Sequence, residues 1–248
     1  MLNLRIDGRY GTVCEAELIM KWLQTGTIVM TLVLGCQSIF AQTVGEIGVV
    51  GDFLGNGPWE NWSGQWLALL ERDGGFELRE VTVSSKPNEN PICGDKGFIV
   101  NATSADSSIL LLRGFPGIKS GQVVTAFHDR KFLLPGEHLD VSLGNGAYWH
   151  LYAFGTVRPP LYDHQYTDYE VWITGGGREA KVFSLERLDG DGLPEILWVG
   201  DLDGDRVADI IANVRTHYAG NHYVLFLSSL AGPGQLVAEA GSVATFGC

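Results

Sequence analysis

Turn residues cut this chain into apolar runs too short for a helix, and that punctuation limits its fold more than any other feature. Trp66-Leu-Ala-Leu-Leu-Glu71 and Phe76-Glu-Leu-Arg-Glu-Val-Thr-Val83 flank Arg72-Asp-Gly-Gly75. Apolar alternation around an Asp-Gly pair is a hairpin signal, because Asp-Gly accepts the positive φ of a tight two-residue turn. Leu139–Leu143 and Ala147–Phe154 repeat the pattern around Gly144-Asn-Gly146. Glu170–Thr174 and Ala180–Ser184 repeat it around Gly175-Gly-Gly177. Further strands are expected at 108–113, 122–126, 196–199, 210–214, 222–228 and 235–239. No capped amphipathic helix of useful length is present, and 33 of 248 residues are glycine. The expected fold is all-β, with antiparallel sandwich or barrel-like sheets. Paired prolines in Val157–Gln165 interrupt a strand pattern. They suggest an N-terminal β region over 42–160 and a C-terminal one over 166–248, which need not have separate cores.

Residues 201–209 read Asp201-Leu-Asp203-Gly-Asp205-Arg-Val207-Ala-Asp209. Four carboxylates in nine residues repel one another unless a cation joins them. Ca²⁺ takes six to eight hard oxygen ligands, and its loops supply side chains at positions 1, 3, 5 and 9 with a carbonyl at 7. Those positions are Asp201, Asp203, Asp205, Asp209 and the carbonyl of Val207. The loop is not an EF-hand. Ala212 stands where that motif needs a bidentate Glu, Arg206 stands at the usual glycine, and the flanks read as strands. A partial copy lies upstream at Arg187-Leu-Asp189-Gly-Asp191-Gly192-Leu-Pro-Glu195. Asp189, Asp191 and Glu195 are candidate ligands of a second ion, although Arg187 at position 1 cannot ligate one. A weaker match, Asp52 to Glu60 through Asn56, has Leu54 at position 3 and reads as coincidence.

The stretch Gly200-Asp-Leu-Asp-Gly-Asp-Arg-Val-Ala-Asp-Ile210 resembles the FG-GAP/VCBS type of calcium-binding repeat, and the resemblance covers about residues 185–214. It implies Ca²⁺ held in a strand–loop–strand unit of an exported protein. Propeller members repeat the motif about once per blade, and two or three irregular copies do not build a full propeller.

The N-terminus reads as an export signal. Met20-Lys21 precedes the apolar run Thr27–Gly35, too short to span a membrane and suited to a signal-peptide core. Translation is expected to start at Met20, with the signal region over 1–41. Cleavage after Ala41 is favoured. The rival is a lipobox at Val33-Leu-Gly35-Cys36, which would anchor the protein through Cys36. The expected location is periplasmic or secreted. Cys93 and Cys248 remain in the body, and in an oxidising compartment two such cysteines usually pair. No other segment is long and apolar enough to span a membrane. The formal charge is −12, which excludes non-specific binding to nucleic acid because phosphates demand a positive face.

Catalytic signatures are absent: no G-x-S-x-G elbow, H-E-x-x-H pair, P-loop or dinucleotide fingerprint. His217 and His222 would bring two imidazoles together, but a catalytic zinc needs a third protein ligand. His128, His138 and His150 read as surface or structural. Trp59, Trp62 and Trp66 crowd one segment. Exposed, they would stack on sugar; buried, they are core, the commoner outcome for so much apolar area. The expectation is a non-enzymatic calcium-binding β protein acting as a binding or adhesion module, toward a protein or a glycan, or as an envelope component. The alternative is a secreted hydrolase with an unrecognised site.

Overall fold

A computed structural model describes residues 13–22, 28–37, 45–89, 96–105, 107–144, 146–158, 165–188, 192–217 and 219–246. The expected pair Cys93–Cys248 and the candidate ligands Asp189 and Asp191 lie outside them. Met1–Gln42 and Thr43–Cys248 form two separate compact units. In the first, β1 (Val13–Trp22) and β2 (Ile28–Gln37) pair antiparallel, with Val13 opposite Gln37 and Trp22 opposite Ile28. The apolar run expected as a leader core falls mainly in β2.

The second unit is all-β and antiparallel, with no α-helix among the described residues. Its strands are β3 (Glu46–Gly48), β4 (Gly51–Leu54), β5 (Ser63–Arg72), β6 (Gly75–Asn88), β7 (Gly97–Ala102), β8 (Leu110–Arg113) and β9 (Gly121–Phe127). There follow β10 (Lys131–Phe132), β11 (His138–Ser142), β12 (Tyr148–Arg158), β13 (Gln165–Gly175) and β14 (Arg178–Leu188). The chain closes with β15 (Glu195–Asp201), β16 (Asp209–Asn213), β17 (Gly220–Leu227) and β18 (Ala238–Phe246). One twelve-stranded sheet runs in the order β18-β17-β16-β15-β9-β6-β5-β8-β3, with β4, β7 and β10 as branches. It curls until its ends nearly meet: a methyl added to Gly241 of β18 would lie 3.4 Å from Ile47 Cγ2 of β3. The sheet is therefore barrel-like, not a propeller. A separate four-stranded sheet has the order β11-β12-β13-β14.

The three expected hairpins form. Asp73 (φ 46°) and Gly74 (φ 80°) close β5 onto β6, and Gly176 (58°) and Gly177 (74°) close β13 onto β14. Both turns have two consecutive positive φ angles, the geometry that matches the twist of the flanking strands. The segment 157–165 joins β12 to β13 inside one sheet, where Arg158 pairs with Gln165. The short strands β3 and β4 and the six-residue β7 have no counterpart in the sequence reading. The run expected at 235–239 gives way to a longer β18 at 238–246.

Two hydrophobic cores share the strands β15–β17, and β18 joins only the first of them. Leu197, Trp198, Ile211, Leu225, Leu227 and Val243 face a core built with β3–β8. Ile196, Val199, Ile210, Ala212, Val224 and Phe226 face a core built with β11–β14. Covering both faces of these strands removes the polar side, which is why 196–199 and 210–214 read as unbroken apolar runs. A bulge between Ile196 and Trp198 turns Leu197 and Trp198 to the same core.

Candidate metal centre

The acidic loop connects β15 to β16, adjacent strands whose last pair is Gly200 opposite Asp209. Asp201 ends one buried strand and Asp209 begins the next, so the doubly covered sheet fixes both ends. One ligand oxygen each from Asp201, Asp203 and Asp209 comes together, all within 4.8 Å of one another. Asp209 is fully buried and Asp201 nearly so.

Backbone amides organise the loop. Asp201 accepts from Gly204 N (2.7 Å) and Arg206 N (3.0 Å). Asp209 Oδ2 accepts from Leu202 N (2.8 Å), and its Oδ1 accepts from Ser228 N (2.8 Å) and Ser228 Oγ (2.9 Å). Asp205 accepts from Val207 N (2.7 Å) and Ser228 Oγ (2.9 Å). Asp203 Oδ1 takes only a long contact from Asp205 N (3.3 Å), and its buried Oδ2 has no partner. A buried carboxylate oxygen without a donor is costly, about 1–3 kcal/mol or more. A hard cation at the convergence point removes that cost and the mutual repulsion, which is on the order of 3 kcal/mol per pair at an effective dielectric of about 20.

Burial pushes Asp209 up to about 8, opposed by its hydrogen bonds and reinforced by the charge of Asp203. Burial also raises Asp205, with Asp203 and Asp201 adding to the shift. Without a cation, this shift favours a neutral Asp209 below about pH 8. The two turn-forming positions are Gly204 (φ 84°) and Arg206 (φ 69°). Arg206 thus occupies the left-handed conformation that favours glycine at this position, and the expected glycine is absent at a cost of about 1–2 kcal/mol.

Of the expected ligands, Asp201, Asp203 and Asp209 converge. Asp205 is directed to Ser228 and the Val207 amide instead. Glu195 sits at the start of β15, where Arg215 Nη2 binds its Oε1 at 2.9 Å while Arg215 Nε binds the Leu193 carbonyl (3.2 Å). The second loop therefore gives its one described carboxylate to a protein cation. Ser228 was not foreseen. It lies nineteen positions beyond Asp209 and reaches it only because Ile210 pairs with Phe226. Gly117 was missed likewise: a methyl on it would lie 3.7 Å from Asp203 Cβ, so the 114–121 connection packs against the loop.

Other candidates resolve differently. Glu60 caps a 3-10 turn by accepting from Gly57 N (3.1 Å), and Asp52 is exposed in β4. Trp59, Trp62 and Trp66 are core, linked ring to ring at 6.5 and 5.7 Å, with Trp62 Nε1 on Glu46 (2.8 Å) and Arg113 over Trp66. They are not a sugar platform. His217 and His222 line a cavity of about 360 Å³. Among the described residues no third ligand joins them; the only group of three is Asp201, Asp203 and Asp209. No helix there is long and apolar enough to cross a membrane.

No family model matches the chain, and neither the curated proteins nor the solved structures contain a match.

Proposed function

We propose that the protein is an exported calcium-binding β module in which Ca²⁺ at Asp201, Asp203 and Asp209 stabilises the body of a binding or adhesion protein. One observation carries the reading: three carboxylates converge between two buried strands, with the Asp203 Oδ2 buried and unpartnered. All-oxygen donors favour Ca²⁺ or Mg²⁺ over softer metals. Asp201, Asp203 and Asp209, with the Val207 carbonyl, would hold the ion. The loop leaves the larger, irregular ion the better fit, because Mg²⁺ demands near-ideal octahedral geometry. The spacing that resembles FG-GAP/VCBS repeats supports the same ion. Export rests on the N-terminal sequence pattern, and the absence of catalytic signatures favours binding over turnover.

Isothermal titration with CaCl₂ tests this. The expected result is saturable binding with a Kd of about 10⁻⁴–10⁻³ M, typical of extracellular calcium modules, and its loss in Asp203→Ala. Binding that persists unchanged in Asp203→Ala, or no binding at all, overturns the assignment.

A further inference from the structure

The sheet β11–β14 buries one face and leaves the other open. Val141, Trp149, Leu151, Ala153, Val171 and Ile173 point inward. Alternate residues point outward, because successive side chains on a strand take opposite faces. The outward set is unusual in carrying large rings. Tyr148 is 65% exposed and Phe154 53%, and half-buried Tyr152 and Trp172 stand opposite each other on β12 and β13. Tyr152 and Phe154 meet edge to face at 5.2 Å.

Polar groups thread between the rings, and three acids beside them, Asp140, Glu170 and Glu179, are hydrogen-bonded to neighbours on the sheet. Asp140 Oδ1 meets His150 Nδ1 at 2.6 Å. Glu170 accepts from Lys181 Nζ (3.0 Å) and from Trp172 Nε1 (2.9 Å). Glu179 accepts from the Tyr152 hydroxyl. Register places His138, Tyr152, Trp172 and Lys181 in one row across four strands. The buried inner face makes this a rigid surface.

An occupant must suit that chemistry. No surplus of positive charge exists for a phosphate backbone, and the pairs Asp140–His150 and Glu170–Lys181 beside the rings give little electrostatic pull on a charged partner. Protein–protein interfaces concentrate apolar area at a core depleted of charge, whereas here ion pairs separate the rings. A sugar ring matches both halves: its C–H face packs on an aromatic ring, and its hydroxyls exchange hydrogen bonds with carboxylate, imidazole and phenol. We propose that the outer face of β11–β14 is a binding platform for a neutral polysaccharide. This rests on the reading of the chain as a binding module, and not on its calcium site.

Affinity electrophoresis in gels cast with hydroxyethylcellulose, xyloglucan, galactomannan or β-1,3-glucan tests it, with polygalacturonate as the charged control and calcium or EDTA in parallel. Retardation by at least one neutral polysaccharide is expected, persisting at high salt. Trp172→Ala and Tyr148→Ala should each weaken it roughly tenfold, the scale of one lost ring contact. Tyr148→Ala removes a largely exposed ring, so its fold is retained, and melting temperature verifies this. The platform is overturned by no retardation with any neutral polymer, by retardation with polygalacturonate alone, or by binding unchanged in both variants. The calcium-dependent melting shift is read on the same samples. Lost retardation with an intact shift removes the platform alone, and the reverse removes the calcium site alone.

Discussion

The two Asp/Gly loops of this protein share a spacing and part in their chemistry. In the β15–β16 loop the acids face one another, and no protein cation counts among the charges that act on Asp209. In the β14–β15 connection Glu195, the counterpart of Asp209, lies against Arg215. The sixth position differs as well. Arg206 holds a left-handed backbone that glycine would hold without strain. Gly192, in the other connection, is glycine for a different reason: a methyl there would fall 2.4 Å from the Thr216 carbonyl carbon. A repeat-like spacing therefore fixes where acids sit along the chain. The groups brought to them from elsewhere decide whether they are left for a metal.

The largest effect that tests this contrast is expected from Asp209→Ala. It leaves Leu202 N and Ser228 N without acceptors in a buried place, which should cost about 3 kcal/mol in urea unfolding and abolish calcium binding. A stable variant that still binds calcium would mean that Asp209 is neither a brace nor a ligand.

Glu195→Ala should cost about 2 kcal/mol, below the figure for a fully buried pair because Arg215 stays partly solvated. Calcium stoichiometry should not change. If it falls by one ion per chain, the second loop is also a metal site and the contrast between the loops disappears.

Calcium itself should act on the first loop only. Free Ca²⁺ at ten times its dissociation constant should add about 1.4 kcal/mol for one site, seen as a rise in melting temperature that Mg²⁺ does not reproduce. Asp209 adds a pH signature. Burial raises its folded pKa to about 8, above the ordinary aspartate value of 3.8, so between these values the folded metal-free protein holds a proton that the unfolded chain has released. Metal-free stability should accordingly fall as pH rises from about 4 to about 8. Calcium should flatten that slope, since the ion takes the place of the proton. Unfolding curves in EDTA that show no such decline would refute the protonated state.

The smallest change is a gain. Arg206→Gly should stabilise the protein by about 1 kcal/mol, because relief of the left-handed strain outweighs the entropy added to the unfolded chain. A loss instead would show that the Arg206 side chain supports the loop.

The two aromatic groups show where sequence reading stopped. Trp59, Trp62 and Trp66 attract attention because they crowd eight positions, yet all are core. Tyr148, Tyr152, Phe154 and Trp172 are scattered over two strands and gather only when β12 pairs with β13. Alternation along β12 did mark His150 as facing one side, but no local signal says which side meets solvent. That depends on which face of the sheet packs against β15–β17.

The strand-and-turn character of this protein, its three hairpins and the acidic loop are legible in the sequence alone. Each of these rests on neighbours within a dozen residues, where backbone preferences and side-chain alternation act directly. That β15–β17 are buried on both faces, and that β12 and β13 pair with Arg158 opposite Gln165, emerged only in the folded chain. Folding also brought Ser228 to Asp209 and Arg215 to Glu195. Those outcomes depend on pairing between strands distant in the chain, and the alternation within one strand does not encode its partner.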